Sequence, residues 1–146
     1  MTRVTSLDNP RLKEAARLIA SSRDRRKSGR CVLEGAHAID AYRDRVGVPE
    51  TLIIAEDAVA DPSVAALLAR VPASRVVTVT RALLGELATL PPDVGVIAVI
   101  VTPAPVAAPP ADFCLLLEDV QDPGNVGSML RSAAAAGVAH VYLSRD

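Results

Sequence analysis

The chain has no tryptophan, and its aromatic residues are Tyr42, Phe113 and Tyr142 alone. Holding single-stranded nucleic acid by base stacking takes several aromatic faces, so that mode of binding is disfavoured. Cysteine is equally scarce. Cys31 and Cys114 each sit at the start of an apolar run, and both read as reduced, buried, small hydrophobes of a cytosolic protein rather than as a disulfide. No apolar run approaches the roughly 18 residues of a membrane span. The polar, basic N-terminus lacks the apolar core of a secretory signal. A cytoplasmic protein with no membrane partner is therefore expected. Neither a Walker A loop nor G-x-G-x-x-G is present, which leaves the ordinary nucleotide loops without support. His37 and His140 have no second ligand at metal spacing. Glu118, Asp119 and Asp122 do not follow EF-hand spacing, so no metal is expected. Ser128 has no His/Asp partner in view, which argues against a hydrolase nucleophile.

What the chain does have is apolar mass and an uneven charge. Half of its 146 residues are hydrophobic, enough for a real core and too many for disorder. The length fits one average domain, or a small domain plus part of another. The net charge of −1 hides an asymmetry: residues 1–30 carry +6 and residues 31–146 carry −7. A basic arm on an acidic body points to a polyanion partner for the arm.

The first helix is signalled by Asn9 as N-cap and Pro10 at the first helical position, with Leu12, Ala15, Ala16 and Ile19 recurring at helical spacing. The basic cluster Arg23, Arg25, Arg26, Lys27 and Arg30 follows. From Cys31 onward strands alternate with helices: a strand at 31–33, a helix over 34–44, a buried strand at 51–55, and a helix from Pro62 capped by Asp61 and burying Val64, Leu67 and Leu68. Next come a strand at 75–79, a short helix capped by Thr80 with Leu83, Leu84 and Leu87 on one side, and the wholly apolar strand 94–101. An all-apolar strand belongs in the middle of a sheet covered on both faces. The alternation predicts a mostly parallel sheet in a three-layer α/β domain. Residues 102–112 carry Pro103, Pro105, Pro109 and Pro110 and read as a semi-rigid linker. One further strand–helix–strand unit occupies 113–146. It cannot bury its own faces, so the second domain is expected to be incomplete.

That unit holds "LEDVQDPGNVGSMLRSA", Leu117 to Ala133. With the helix starting near Asn125, residues Val126, Met129, Leu130, Ala133 and Gly137 form the stripe expected on the sheet. Gly124, Gly127, Ser128, Arg131 and Ala135 lie on another, nearly bare, stripe. A guanidinium among glycines and a serine has room for a ligand beside it. The turn also brings backbone N–H groups to a helix N-terminus, beyond the carboxyl end of a strand, where open α/β sheets place their sites. A plain alternative stands beside this. Asn125 would be only a cap, and Arg131 would only pair with Glu118, Asp119 or Asp122.

The stretch "LLLEDVQDPGNVGSMLRSAAAAGVAHVYL" resembles the first motif of the SpoU/TrmH-type RNA 2′-O-ribose methyltransferases of the SPOUT superfamily. "SLDNPRLK", the Arg-rich stretch and "VLEGAHAIDAY" resemble, separately, that family's N-terminal substrate-binding domain. Two motifs in the right order cover nearly the whole chain. The resemblance implies an L30e-like α/β/α substrate-binding domain over 31–101, preceded by the basic helix and arm 1–30 and followed, after the linker, by the start of a SPOUT trefoil-knot domain at 113–146. It implies that S-adenosylmethionine is the methyl donor and that rRNA or tRNA is the partner. It also implies that Arg131 and Asn125 are the catalytic residues, Arg131 being the one held to activate the ribose hydroxyl. Attack by the 2′-oxygen on the sulfonium methyl is a direct displacement in which alignment supplies much of the rate. An arginine is almost always charged and so an awkward base, and Arg131 is expected to orient the hydroxyl and a neighbouring phosphate. Arg23, Arg25, Arg26, Lys27 and Arg30 are expected to touch RNA phosphates, which positions RNA without reading its sequence. Glu34-Gly35 matches the family, although Gly35 is first of all a tight strand-to-helix turn.

The family's donor pocket and dimer interface are built from later motifs, at the knot. No donor-binding residues are expected within this chain, which should not methylate or form the family homodimer on its own. The rival reading is a non-catalytic L30e-like RNA-binding module. A small-molecule-binding α/β domain fits the basic arm and the two motifs poorly.

Overall fold

A computed structural model describes residues 1–89, 95–104 and 113–144. The chain forms two compact units, Met1–Pro103 and Ala104–Asp146. The expected proline linker falls mainly on residues 105–112, outside the described residues.

In the first unit, strand β1 (Thr2–Arg3) precedes helix α1 (Pro10–Ala20), helix α2 (Ser22–Ser28), β2 (Arg30–Glu34) and α3 (Ala36–Arg45). There follow β3 (Thr51–Ala55), α4 (Pro62–Leu68), β4 (Val76–Val79), α5 (Arg81–Gly85) and β5 (Val96–Val101). The sheet order is β1-β4-β3-β5-β2. Its centre holds the buried strand expected at 51–55 and, beside it, the apolar strand expected near 94–101. Residues 51–55 of β3 and 96–100 of β5 are buried throughout, and each fully buried Leu, Ile or Val is worth roughly 1.5–3 kcal/mol of transfer free energy.

The sheet is mixed, which corrects the expectation of a mostly parallel one. β1, β3 and β4 pair in parallel, while β5 runs against both of its neighbours, β3 and β2. The chain enters β5 at the end where β3 and β4 finish, without the return along the sheet that a parallel neighbour requires, and Ala55 N donates to Gly95 O there at 2.9 Å. Gly95 has φ +65°, and a Cβ on it would lie 2.8 Å from Ala58 Cβ. Only glycine meets both demands.

The caps form where the sequence places them. Asn9 accepts from Arg11 N at 3.0 Å, Asp61 from Ser63 N at 2.8 Å, and Thr80 from Leu83 N at 3.2 Å. The Ser63 hydroxyl and amide hold the Asp61 carboxyl below its ordinary range. The buried stripe of α1 is Leu12, Ala15 and Leu18; Ala16 is exposed and Ile19 half-buried. Residues 1–30 do not stand apart as an arm. β1 pairs with β4, α1 buries its stripe in the common core, and the Arg-rich stretch is itself the helix α2. Ser21 ends α1 and caps α2, accepting from Asp24 N at 3.1 Å, and Gly29 at φ 64° closes α2 into β2.

The second unit is β6 (Cys114–Leu117), α6 (Pro123–Ala135) and β7 (His140–Leu143), with β6 and β7 paired in parallel. Leu117 and Ala133 are its buried residues among those described. The expected packed stripe is only partly covered: Val126 is half-buried, while Met129 and Leu130 are 39% and 38% exposed. Cys114 is exposed and Cys31 half-buried. The expectation that both are buried fails because β2 is an edge strand and the outward face of β6 has no covering layer among the described residues.

Candidate functional site

The turn after β6 is built by local hydrogen bonds. Asp122, not Asn125, is the N-cap of α6: its Oδ1 accepts from Asn125 N at 2.7 Å, and Pro123 takes the first helical position. Proline has no N–H to lose there and its φ suits the first turn, so the helix begins two residues earlier than the spacing indicated. This disposes of the plain reading in which Asn125 serves as the cap. Asp119 adopts φ 51°, a left-handed conformation that Asp tolerates better than most residues. Its N–H donates to Ser144 Oγ at 3.0 Å, and its carboxylate accepts from Gln121 Nε2. The sequence carries no signal for this conformation beyond the residue type.

Arg131 is exposed. Glu118, Asp119 and Asp122 are all described, yet none pairs with it, and no other described residue does. Asn125 is exposed as well. Six residues along a helix separate the two by about 9 Å of rise and roughly 120° of rotation, so the structure does not bring their side chains together. Asn125 lies in the first turn of α6, and Arg131 lies nearly two turns further along on a different face.

S-adenosylmethionine does not fit what the described residues offer. A cavity of about 390 Å³ runs beside α6, lined by Leu115, Leu117, Met129, Ala133, Ser128 and Ser132 among others. It has serine hydroxyls but no charged side chain to meet the donor's ammonium, carboxylate or sulfonium. No His/Cys/Asp/Glu cluster suited to a metal occurs among the described residues.

The basic cluster divides into two kinds of residue. Arg25 Nη1 donates to Leu18 O at 2.7 Å and Ile19 O at 3.0 Å. It satisfies carbonyls that the end of α1 leaves without helical partners, so its guanidinium is committed internally. Arg30 is bound through Nε and Nη2 to the carboxylate of Glu50 and lies 3.7 Å from Glu14. Sequence reading missed both partners because Glu50 is twenty residues away and Glu14 lies sixteen residues back on α1. Arg23, Arg26 and Lys27 remain, exposed on α2 and without an acidic partner among the described residues. Positions i, i+3 and i+4 share one helix face, which makes a compact cationic surface suited to phosphates.

Comparison with known proteins identifies the family. The family described as the MRM3-like substrate binding domain matches residues 9–98. An uncharacterized tRNA/rRNA methyltransferase of Synechocystis is 32% identical over 98% of this chain and 53% of its own length. A crystal structure described as an RNA 2′-O ribose methyltransferase superposes at a TM-score of 0.80 with 30% identity, over 99% of this chain and 56% of that one. The SpoU methyltransferase AviRb of Streptomyces viridochromogenes, solved with AdoMet, gives a TM-score of 0.72 with 26% identity over 92% of this chain and 52% of that one. The chain thus spans about half the length of the relatives it matches. It belongs to the SpoU/TrmH-type RNA methyltransferase family, with an MRM3-like substrate binding domain over residues 9–98.

Proposed function

We propose that the chain is the RNA-holding part of an enzyme that transfers a methyl group from S-adenosylmethionine to a ribose 2′-hydroxyl of ribosomal or transfer RNA. On this reading the N-terminal region is an L30e-like, three-layer substrate-binding domain. Residues 113–146 are the first strand–helix–strand unit of a knotted SPOUT domain, and the donor pocket and homodimer contact belong to protein outside this chain. A cytoplasmic location belongs to the same reading. What carries it is the superposition of 99% of the chain on a solved RNA 2′-O ribose methyltransferase, with Arg131 exposed and unpaired on α6. The AdoMet complex of AviRb supports the choice of donor.

Arg23, Arg26 and Lys27 would attract and position the RNA backbone. Arg131 would orient the acceptor. A guanidinium is a hydrogen-bond donor and a poor proton acceptor. A planar fork of donors suits the 2′-oxygen and an adjacent phosphate together. Asn125 would border the same ribose from the first turn of α6.

The test uses a protein extended to the length of the relatives. Arg131→Ala should lower methyl transfer by about 10²-fold or more, the scale of losing a positioned charged donor, while RNA affinity stays within about twofold. Unchanged turnover would remove Arg131 from the reaction. The chain alone should bind RNA and transfer no methyl group.

A further inference from the structure

Helix α2 carries three exposed cations, yet no apolar contact anchors it. None of its seven residues is buried. Two cavities, of about 250 and 280 Å³, share Arg25 and Cys31 in their linings, so the space between α2 and β2 is not packed shut. A helix this short is unstable in water by itself. The chain ties it at both ends: at Ser21, which joins it to α1, and at Gly29, whose carbonyl accepts from Thr102 N at 2.8 Å. Those ties leave rotation of α2 about its own axis unopposed, and that rotation decides where its charges point. The Ser21 cap and the Ser28 hydroxyl, which donates to Asp24 O, shape the helix from within. Among the described residues, the side-chain hydrogen bonds that leave α2 for another element all come from Arg25.

We propose that Arg25 is the positioning residue of the RNA surface: its bonds to the end of α1 lock the rotation of α2, so that Arg23, Arg26 and Lys27 face solvent before RNA arrives. The proposal rests on the RNA reading above. The geometry of a helix makes one bolt sufficient. At about 100° per residue, Arg25 lies roughly 150° round α2 from the centre of the face shared by Arg23, Arg26 and Lys27. Turning Arg25 inward therefore turns the other three outward. The bolt itself is strong for its size. One nitrogen, Nη1, donates to Leu18 O at 2.7 Å and to Ile19 O at 3.0 Å, and a cation at the carbonyl end of a helix is favoured by charge as well as by hydrogen bonding. Arg25 is half-buried, whereas Arg23, Arg26 and Lys27 are exposed. With α2 held in advance, RNA does not bear the cost of ordering it. Arg25 thus serves binding without touching phosphate.

Hydrogen exchange on the wild-type chain is the first test. The amides of Arg25 and Gly29, bonded to Ser21 O and Arg25 O, should be protected about tenfold or more in the free chain, and a short RNA hairpin should add little. Free exchange of α2 that RNA alone suppresses would overturn the proposal, because the ligand would then set the helix. Arg25→Gln is next compared with Arg26→Gln, with circular dichroism as the folding control. Arg25→Gln should lose the protection of α2, keep that of β3 and β5, and weaken hairpin binding about three- to tenfold at an unchanged salt slope. Arg26→Gln should keep the protection and make the slope shallower by about 0.7–0.9. A slope change of that size in Arg25→Gln would make Arg25 a phosphate contact, and wild-type affinity would mean that α2 positions itself; either result overturns the proposal and leaves the RNA reading intact. If Arg25→Gln does not fold, the wild-type exchange pattern decides alone. Failure of the wild-type chain to bind the hairpin at low salt would overturn the RNA reading and the proposal with it.

Discussion

Met1–Pro103 and Ala104–Asp146 are built from the same kinds of element, and only the first covers what it makes apolar. In the first unit five strands and their helices bury all of β3 and residues 96–100 of β5. In the second, two strands and one helix leave Phe113, Leu116, Tyr142 and Leu143 between 46% and 68% exposed. Leu116 and Tyr142 are register partners on β6 and β7, so their outward face is one contiguous apolar surface. Stability therefore resides in the first unit, whereas the helix that carries Asn125 and Arg131 resides in the second.

The sharpest way to break that contrast is a pair of core truncations. Ile53→Ala, at the centre of the sheet, should cost the first unit roughly 2–5 kcal/mol through lost burial and the cavity it leaves. Leu117→Ala removes one of the two buried residues described in the second unit and should leave the main thermal transition in place. Calorimetry on both variants decides it, and equal shifts in Tm would mean that the two units melt as one. Gly95→Ala should come next in size. It forces an L side chain to φ +65° and its Cβ to 2.8 Å from Ala58 Cβ, a strain of roughly 1–3 kcal/mol readable in a urea titration of the first unit. Asn9→Ala, which strips the cap of α1, should cost about 1 kcal/mol. Arg131→Ala touches no described partner and should stay within about 0.5 kcal/mol, a null result in melting that separates function from folding.

Acid should distinguish the units too. Asp8 is held low by Lys13, Asp57 by Arg81, and Asp61 by Ser63, and all three belong to the first unit. A carboxyl whose pKa is lowered on folding contributes stability that is complete above its unfolded value, about 3.9 for Asp. That contribution is lost as pH falls through the lower folded value. The Tm of the first unit should therefore be level from neutral pH down to about 5 and decline below about 4. A decline that begins above pH 6 would point to other groups.

Much of this was legible in advance because it is local. Asn9, Asp61 and Thr80 cap helices through bonds that span two or three residues, and the apolar runs of β3 and β5 declare a central position wherever they occur. The reversal of β5 was hidden because an apolar strand reads the same whichever end of the sheet the chain enters from, and only its register on β3 and β2 shows the direction. The roles of Arg25 and Arg30 were hidden for a related reason. Five basic residues look alike along the chain, but Arg25 is turned to the carbonyls of α1 and Arg30 to Glu50, so the set that is exposed and without an acidic partner among the described residues contracts to Arg23, Arg26 and Lys27. In the site, Asp122 displaced Asn125 as cap because the proline that follows it fits the first helical position.

The most direct test of the RNA-holding role is RNA affinity measured against salt for the wild-type chain and for Arg23→Gln, Arg26→Gln, Lys27→Gln combined, with circular dichroism as the folding control. At about 0.7–0.9 counterions released per phosphate contact, the slope of log K against log salt should become shallower by about 2–3. A matching substitution at Arg30, already bound to Glu50, should leave that slope nearly unchanged. Equal slopes for the wild type and the triple variant would contradict the assignment of α2 as the surface that holds RNA.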